Sequence, residues 1–537
     1  MIPGLAVGER RRRWPDQLAT PAKRWFLFAS WSIVSALSIL KFFCLTADFP
    51  NDSPWMIDQA KFTDEGWWAN AAVMHNLLGH WYVAGDYNPA VALPVWPALL
   101  GAVFHFTGVS IVAARALNVV ISIATLGVVF LLVRRYAPMR AETSAILAVL
   151  LMSASPFAFV FSRLAILDTL VIFEFCLLML VASFASSKRF WPLVALPVLI
   201  TVMILTKTTA AALVPALLWL VWNETDRKPA GLLRAVLVVA VLPAALLKAY
   251  AALVSALGYG DDYAYFFAVN ATPELAWDRA FATIRDLLRN CFWVDRVLYP
   301  IALLILVLSV VWKRKLWANP LFAASWIALA AQAGFIFSRQ DDYAPRYFLV
   351  MLAPLVVIVV LTFGELAIDY RKTAAVFLLA LAVSAAANVA MIADFLYHRE
   401  YQFNDAALSI RSIVRSDSGQ KQLIFGVSAS QISLMTGIPS INDAFGTQDM
   451  AWKVSLYQPG WYLVWNGIAP ENNTLLSPFR LEEIASYPVF DDDDRNKLIL
   501  YKMLRRPVIS PPLPRAGRRP SGARKKGSGQ NQPAIHP

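Results

Sequence analysis

Charge is what this sequence most conspicuously lacks. Only 16% of its 537 residues are Asp, Glu, Lys or Arg, and 58% are hydrophobic, whereas about a quarter of the residues in soluble domains are charged. So few ionised side chains cannot solvate the surface of an ordinary water-soluble fold, and a bilayer is the natural solvent. Cysteine is scarcer still. Cys44, Cys176 and Cys291 lie far apart, which excludes a disulfide framework and any cysteine-based zinc spacing. No local cluster has convincing metal-ligand spacing, and no repeat relates one half of the chain to the other. The formal net charge of +12 comes with no groove-reading helix or RNA-binding motif. Its basic residues sit in short clusters between apolar blocks and in the C-terminal tail, the pattern that encodes membrane orientation.

What the chain does have is a succession of apolar blocks of roughly 17 to 25 residues, the length a helix needs to cross a hydrocarbon core of about 30 Å. The first, Trp25 to Ala47, follows Arg10 to Arg13, Lys23 and Arg24. Its length, and Leu45 where cleavage would need a small residue, mark a retained anchor rather than a signal peptide. With the basic N-terminus (1–24) inside, flanking Lys and Arg orient the remaining blocks consistently. Phe49 to Tyr87 becomes an outer loop with short surface helices. Val91 to Phe106, short and carrying Pro94 and Pro97, reads as an interfacial helix. Ile111 to Val133 crosses inward to Arg134 and Arg135, and Thr143 to Phe161 crosses back out. Leu170 to Ala185 returns, and Phe190 to Trp222 forms a hairpin with its tip at Thr206 to Thr209. Leu232 to Leu257, Pro300 to Val311, Leu321 to Phe337, Tyr347 to Phe363 and Ala374 to Leu396 complete about eleven spans.

The expected fold is therefore an all-α polytopic membrane domain (25–396) followed by a small extracytoplasmic α/β domain (397–505) and a disordered basic tail (506–537). Two runs in the second domain, Leu423 to Val427 and Gly460 to Trp465, have strand composition bounded by turn residues. On this topology the domain sits above the outer mouth of the membrane part, where it would narrow the entrance or select what enters.

The same topology gathers reactive side chains on the outer face. Glycosyl transfer from a lipid phosphate needs one carboxylate to accept a proton and stabilise developing positive charge, plus cations for the departing phosphate. Asp64 and Glu65 are adjacent, so on a helix they point about 100° apart and cannot both address one atom: one is base, the other structural. Asp168 stands where the chain re-enters the bilayer, as a helix cap or an active-site acid. Lys207 and Arg346 lie at the outer ends of other spans, as phosphate contacts or as interfacial anchors.

Four motifs in this order, Asp64-Glu65, Leu164-Ala165-Ile166-Leu167-Asp168, Thr206-Lys207 with Pro215, and Pro345-Arg346-Tyr347-Phe348-Leu349 with Pro354, resemble the GT-C superfamily. The likeness is to the branch holding protein O-mannosyltransferases and bacterial aminoarabinose-lipid A transferases, and it spans roughly residues 25–396. It implies Asp64 as catalytic base, with Glu65 beside it and Asp168 as a second acid. It also implies Lys207, Arg346 and Tyr347 at the carrier phosphate. The donor would be a polyprenyl-phosphate-linked hexose or pentose, and the acceptor an envelope lipid, glycan or protein, at a bacterial inner membrane. No cofactor is specified, and a divalent metal is left open. Where many relatives have Lys-Pro-Pro, this chain has Tyr87-Asn88-Pro89-Ala90, so a familiar phosphate-binding lysine is missing. A rival reading, a transporter or lipid flippase with Glu174 and Lys248 on its path, lacks internal repeats or matched Gly-interrupted helices to support it.

Overall fold

The computed structural model describes residues 21–48, 64–86, 88–137, 141–186, 189–225, 227–270, 301, 304–308, 314–338, 345–442, 450–468, 475–489 and 497–505. The basic N-terminus before residue 21, the start of the first expected outer loop, half of the expected span Pro300 to Val311 and the tail from residue 506 lie outside the described residues. In chain order the helices are α1 (Pro21–Leu40), α2 (Asp64–Leu78), α3 (Val95–Thr107), α4 (Ile111–Tyr136), α5 (Ala141–Ser153), α6 (Pro156–Phe161), α7 (Leu167–Ala182) and α8 (Trp191–Thr206). There follow α9 (Val214–Glu224), α10 (Pro229–Val236), α11 (Leu242–Ala256), α12 (Gly260–Asn270), α13 (Pro320–Phe337), α14 (Leu352–Asp369) and α15 (Arg371–Tyr397).

By length and composition, five described segments can cross a membrane: Ile111–Tyr136, Pro229–Ala256, Pro320–Phe337, Arg346–Ala367 and one beginning at Lys372. Shorter apolar helices, among them Arg24–Leu40, Ala141–Ser153 and Trp191–Thr206, pack with them. Burial sorts the bundle into centre and periphery. The best window of Arg346–Ala367 is 94% buried, and that of the segment beginning at Lys372 only 17%. Val376, Leu379 and Val383 on α15, like Val194 and Val198 on α8, are exposed, an apolar surface suited to lipid rather than water.

Local sequence explains the breaks. The expected single span Thr143 to Phe161 is two helices, because Pro156 has no N–H to continue the first and Ser155 caps the second by accepting from the Ala158 N–H. Pro243 would likewise break Pro229–Ala256, but the preceding residues Leu237–Val241 widen into a π-helical turn and the helix continues. The 13 residues of α3 rise about 20 Å, less than the bilayer's hydrocarbon thickness. The expectation of surface helices in the first outer loop needs correcting for α2, which buries Asp64, Glu65, Gly66 and Ala69 to Met74.

Contacts fix which helix ends lie together. Arg135 donates to the Ser183 carbonyl at 2.5 Å, Tyr136 donates to Glu224 at 2.8 Å and Phe184 packs on Trp191. The C-terminal ends of α4, α7 and α9 and the start of α8 thus share one end of the bundle. Lys207, at the far end of α8, meets Asp168 at the start of α7. The chain from Trp191 to Glu224 is therefore a hairpin with its tip at Lys207.

Beyond α15 lie α16 (Gln402–Ser416), α17 (Ala429–Thr436) and α18 (Met450–Tyr457). They accompany a five-stranded sheet of β1 (Ile424–Gly426), β2 (Ser440–Ile441), β3 (Trp461–Trp465), β4 (Phe479–Pro488) and β5 (Lys497–Arg505). The order is β2-β1-β3-β5-β4, with β1 parallel to β2 and β3, and β5 antiparallel to β3 and β4. Alternation along β3 feeds two cores. Trp461 and Leu463 pack with Phe403, Ile410 and Ile432, whereas Tyr462 and Val464 pack with Phe425 and Val454.

If the two ends of the bundle face opposite sides of the membrane, cysteines introduced at the exposed positions Ser418 and Arg227 will differ in reactivity. In spheroplasts a membrane-impermeant maleimide is expected to label Ser418→Cys above the background of the native cysteines, and Arg227→Cys only after permeabilisation. Equal labelling of both before permeabilisation would contradict this topology.

Candidate active site

The four motifs converge at the hairpin-tip end of the bundle. α2 begins with Asp64 and Glu65, whose carboxylates suit the partial positive charge of a helix N-terminus. Asp168 occupies the same kind of position on α7. Lys207 sits where α8 gives way to the 3-10 turn Thr208–Leu213, its backbone extended. Arg346 and Tyr347 belong to a second 3-10 turn, Pro345–Met351, which leads into the central helix α14. That turn is steadied by Gln332, which donates to the Tyr347 carbonyl at 3.2 Å.

Two ion pairs join these elements. Arg346 Nη2 lies 2.5 Å from Asp64 Oδ2, and Lys207 Nζ lies 2.7 Å from Asp168 Oδ1. Tyr347 stands between them, with Lys207 Nζ 4.8 Å and the Arg346 guanidinium 5.3 Å from its ring centroid, within cation–π range. Five of the six expected residues, Asp64, Asp168, Lys207, Arg346 and Tyr347, thus share one partly enclosed cluster. The two cations keep 12–13% of their side-chain surface accessible and the two carboxylates 3–6%.

Glu65 is arranged differently. It is fully buried and takes Arg115 Nε and Nη2 in a fork at 2.8 and 2.7 Å, the Ala165 N–H at 2.7 Å and Gln431 Nε2 at 3.1 Å. Its oxygens are occupied by donors from α4, from the Leu164–Asp168 motif and from the C-terminal domain, an arrangement suited to positioning rather than to proton transfer. Arg115 donates also to the carbonyls of Leu45 and Ala47, at 2.6 and 3.0 Å. One turn along α4, Asn118 donates to the Leu164 carbonyl and, at 3.0 Å, to that of Ile166, so α4 sets the course of the backbone before Asp168. Nearby, Arg163 donates to the carbonyls of Phe43 and Cys44 at 2.7 and 2.8 Å. Burial first, then the Arg115 charge, draws its pKa down to about 10, which leaves it a cation.

Arg115, Asn118 and Gln431 were not singled out by the sequence reading. For Arg115 a signal existed: a cation near the start of a strongly apolar helix, away from the basic clusters. The rival transport residues are not brought together. Glu174 accepts from Thr206 at 2.8 Å, below the hairpin tip, and Lys248 is exposed on α11. Asn88, in place of the lysine of the resembled motif, accepts from Ala90 N and donates to the Trp81 carbonyl, so its amide is committed to the turn. Among the described residues no group of three or more His, Cys, Asp or Glu side chains could hold a metal ion.

With this geometry in place, the chain can be set beside known proteins. Residues 89–257 match the family model described as dolichyl-phosphate-mannose-protein mannosyltransferase. ArnT from Cupriavidus metallidurans, solved with undecaprenyl phosphate, superposes with a TM-score of 0.54 at 14% identity, over 89% of this chain and 98% of that one. Its apo form gives 0.55 at 14% identity, over 90% and 98%. The apo oligosaccharyltransferase from Archaeoglobus fulgidus gives 0.51 at 11% identity, over 89% and 76%. No curated protein matches the sequence. The fold is that of the GT-C glycosyltransferases. Within that class the chain resembles the branch of the protein O-mannosyltransferases and of ArnT.

Arg115→Met should leave Glu65 as an unpaired buried charge and destabilise the protein by about 3–5 kcal/mol. Adding Glu65→Gln removes that charge while keeping an acceptor for the Ala165 N–H, so the double variant should regain more than half of the loss. Thermal unfolding in detergent reads both values. Additive losses would show that the pair is not coupled.

Proposed function

We propose that the protein transfers a hexosyl or pentosyl group from a polyprenyl-phosphate carrier to an envelope lipid, glycan or protein acceptor. The reaction would take place on the extracytoplasmic face of a bacterial inner membrane. The observation that carries this reading is the convergence of Asp64, Asp168, Lys207, Arg346 and Tyr347 in one cluster at the end of an apolar helix bundle. The carrier is supported by the family match to enzymes that use dolichyl-phosphate mannose and by the undecaprenyl phosphate in the ArnT structure of the same fold.

In this mechanism the lipid phosphate competes with the two carboxylates for Lys207 and Arg346, and charge-assisted bonds from both cations hold it. Drawing Arg346 onto the phosphate frees Asp64 Oδ2 to take the proton of an acceptor hydroxyl. The acceptor oxygen bonds to the anomeric carbon while the bond from that carbon to the phosphate oxygen breaks. The electron pair of the broken bond leaves with polyprenyl phosphate, whose charge Lys207 and Arg346 stabilise. Asp168 keeps Lys207 at the mouth of the site and adds negative charge beside a positively charged transition state. Glu65 holds α2 in place and takes no proton.

Asp64→Asn retains the side-chain size and loses the proton acceptor, so transfer should fall by about 10² to 10⁴-fold while donor binding persists. Lys207→Ala and Arg346→Ala should first weaken binding of undecaprenyl phosphate, because they contact it in the ground state as well. The assay pairs binding of undecaprenyl phosphate to purified protein with its release from undecaprenyl-phosphate mannose or aminoarabinose in envelope extract. Normal turnover by Asp64→Asn would move the base to another carboxylate. A wild-type protein that neither binds the carrier nor releases it would remove the whole reading.

A further inference from the structure

The N-terminus of α2 carries the proposed base, yet the group that caps it comes from the far end of the chain. The first N–H groups of a helix have no partner within the helix. Here the Gly66 N–H donates to Gln431 Oε1 at 2.7 Å, and Gln431 Nε2 donates to Glu65 Oε2 at 3.1 Å. The chemistry fixes which way this amide points, since an N–H requires the oxygen and a carboxylate requires the NH₂. Gln431 is fully buried on α17. The approach is so close that a Cβ on Gly66 would lie 2.2 Å from the backbone nitrogen of Gln431 and 2.4 Å from the carbonyl carbon of Ser430. Glycine at position 66 is thus what lets the two helices touch. A second anchor lies 20 residues further along the first outer segment. There the buried pair Asp86–Lys453 spans 3.0 Å, and Asp86 Oδ1 also accepts from the Asn442 N–H at 3.0 Å.

Resting on the glycosyltransferase reading above, we propose that Gln431 is a positioning residue of the reaction. By clamping Glu65 and Gly66 it sets the direction of Asp64, so the C-terminal domain must be docked for transfer to proceed. A carboxamide meets this need because it presents one acceptor and one donor at once. A carboxyl group meets it only when protonated. Gln431→Glu therefore places a second carboxylate against the Glu65 carboxylate, and both burial and like charge raise the pKa of the introduced group. Below that pKa it is neutral and again offers one acceptor and one donor. Above it, it repels Glu65 and has nothing to donate.

The test measures release of undecaprenyl phosphate from undecaprenyl-phosphate mannose or aminoarabinose, whichever the wild type turns over, together with binding of undecaprenyl phosphate alone. Gln431→Ala should lower turnover by about 10- to 100-fold, the scale of a small misplacement of a catalytic group, and change carrier binding less than about two-fold, since neither phosphate-binding cation touches Gln431. Gly66→Ala should cause a similar loss, and the double variant little more than either alone. Relative to wild type at each pH, Gln431→Glu should be impaired at neutral pH and recover as the pH falls, which a merely misfolded variant would not do. Wild-type turnover by Gln431→Ala, or a Gln431→Glu to wild-type ratio that does not change with pH, would overturn the positioning role. In either case the glycosyltransferase reading would stand as long as Asp64→Asn is inactive.

Discussion

A fully buried carboxylate must be surrounded by donors or it unfolds what surrounds it. Glu65 meets that condition with Arg115, the Ala165 N–H and Gln431, and the organisation of the site follows from it. Satisfying this one side chain requires the start of α2, the N-terminal part of α4, the backbone before α7 and a helix of the C-terminal domain to meet at a single point. Asp64 and Asp168 flank that point, one residue before Glu65 and three residues after Ala165. The saturated carboxylate thereby determines where its two more open neighbours stand.

Around this fixed centre the two ion pairs are more open. Asp64 with Arg346 and Asp168 with Lys207 retain some accessible surface, and Tyr347 gives both cations a common aromatic face. Such pairs are exchangeable. On the function proposed above, a lipid phosphate would draw on two cations already oriented toward one place, without having to organise long flexible side chains from bulk solvent. The contrast between the saturated Glu65 and the more open Asp64 separates two neighbours that adjacency alone leaves interchangeable.

Much of this was legible in the sequence. Asp168, Lys207 and Arg346 could be found because each lies at or near the end of an apolar block, and Asp64 because it lies in the first outer loop, with the basic turns placing all four on one face. The interruption at Lys207 was legible too, because a 33-residue apolar run with basic flanks at both ends has to turn back. The break at Pro156 was overlooked although proline marks it. Burial of α2 was missed because it is covered from two sides, by α3 nearby in sequence and by α17 more than 360 positions later; the latter separation hid Gln431. Composition signalled an α/β unit after Tyr397, but Leu423 to Val427 and Gly460 to Trp465 gave only two of its five strands. Of the others, β2 is two residues long, and β4, with Glu482 and Glu483 at its centre, has little strand-like alternation.

The Asp86–Lys453 pair carries a further meaning for how the molecule is made. Its two halves are separated by 367 residues, and both are buried, so neither charge is properly housed until the other arrives. The first outer segment is therefore synthesised and inserted long before its covering exists, and it has to wait in an unfinished state while the remaining helices enter the membrane. The contacts that complete this end of the bundle can form only after residue 453 has been made. A truncated or stalled product would occupy the membrane with its helices in place and still lack the contacts from α17 and Lys453 that complete this end of the bundle.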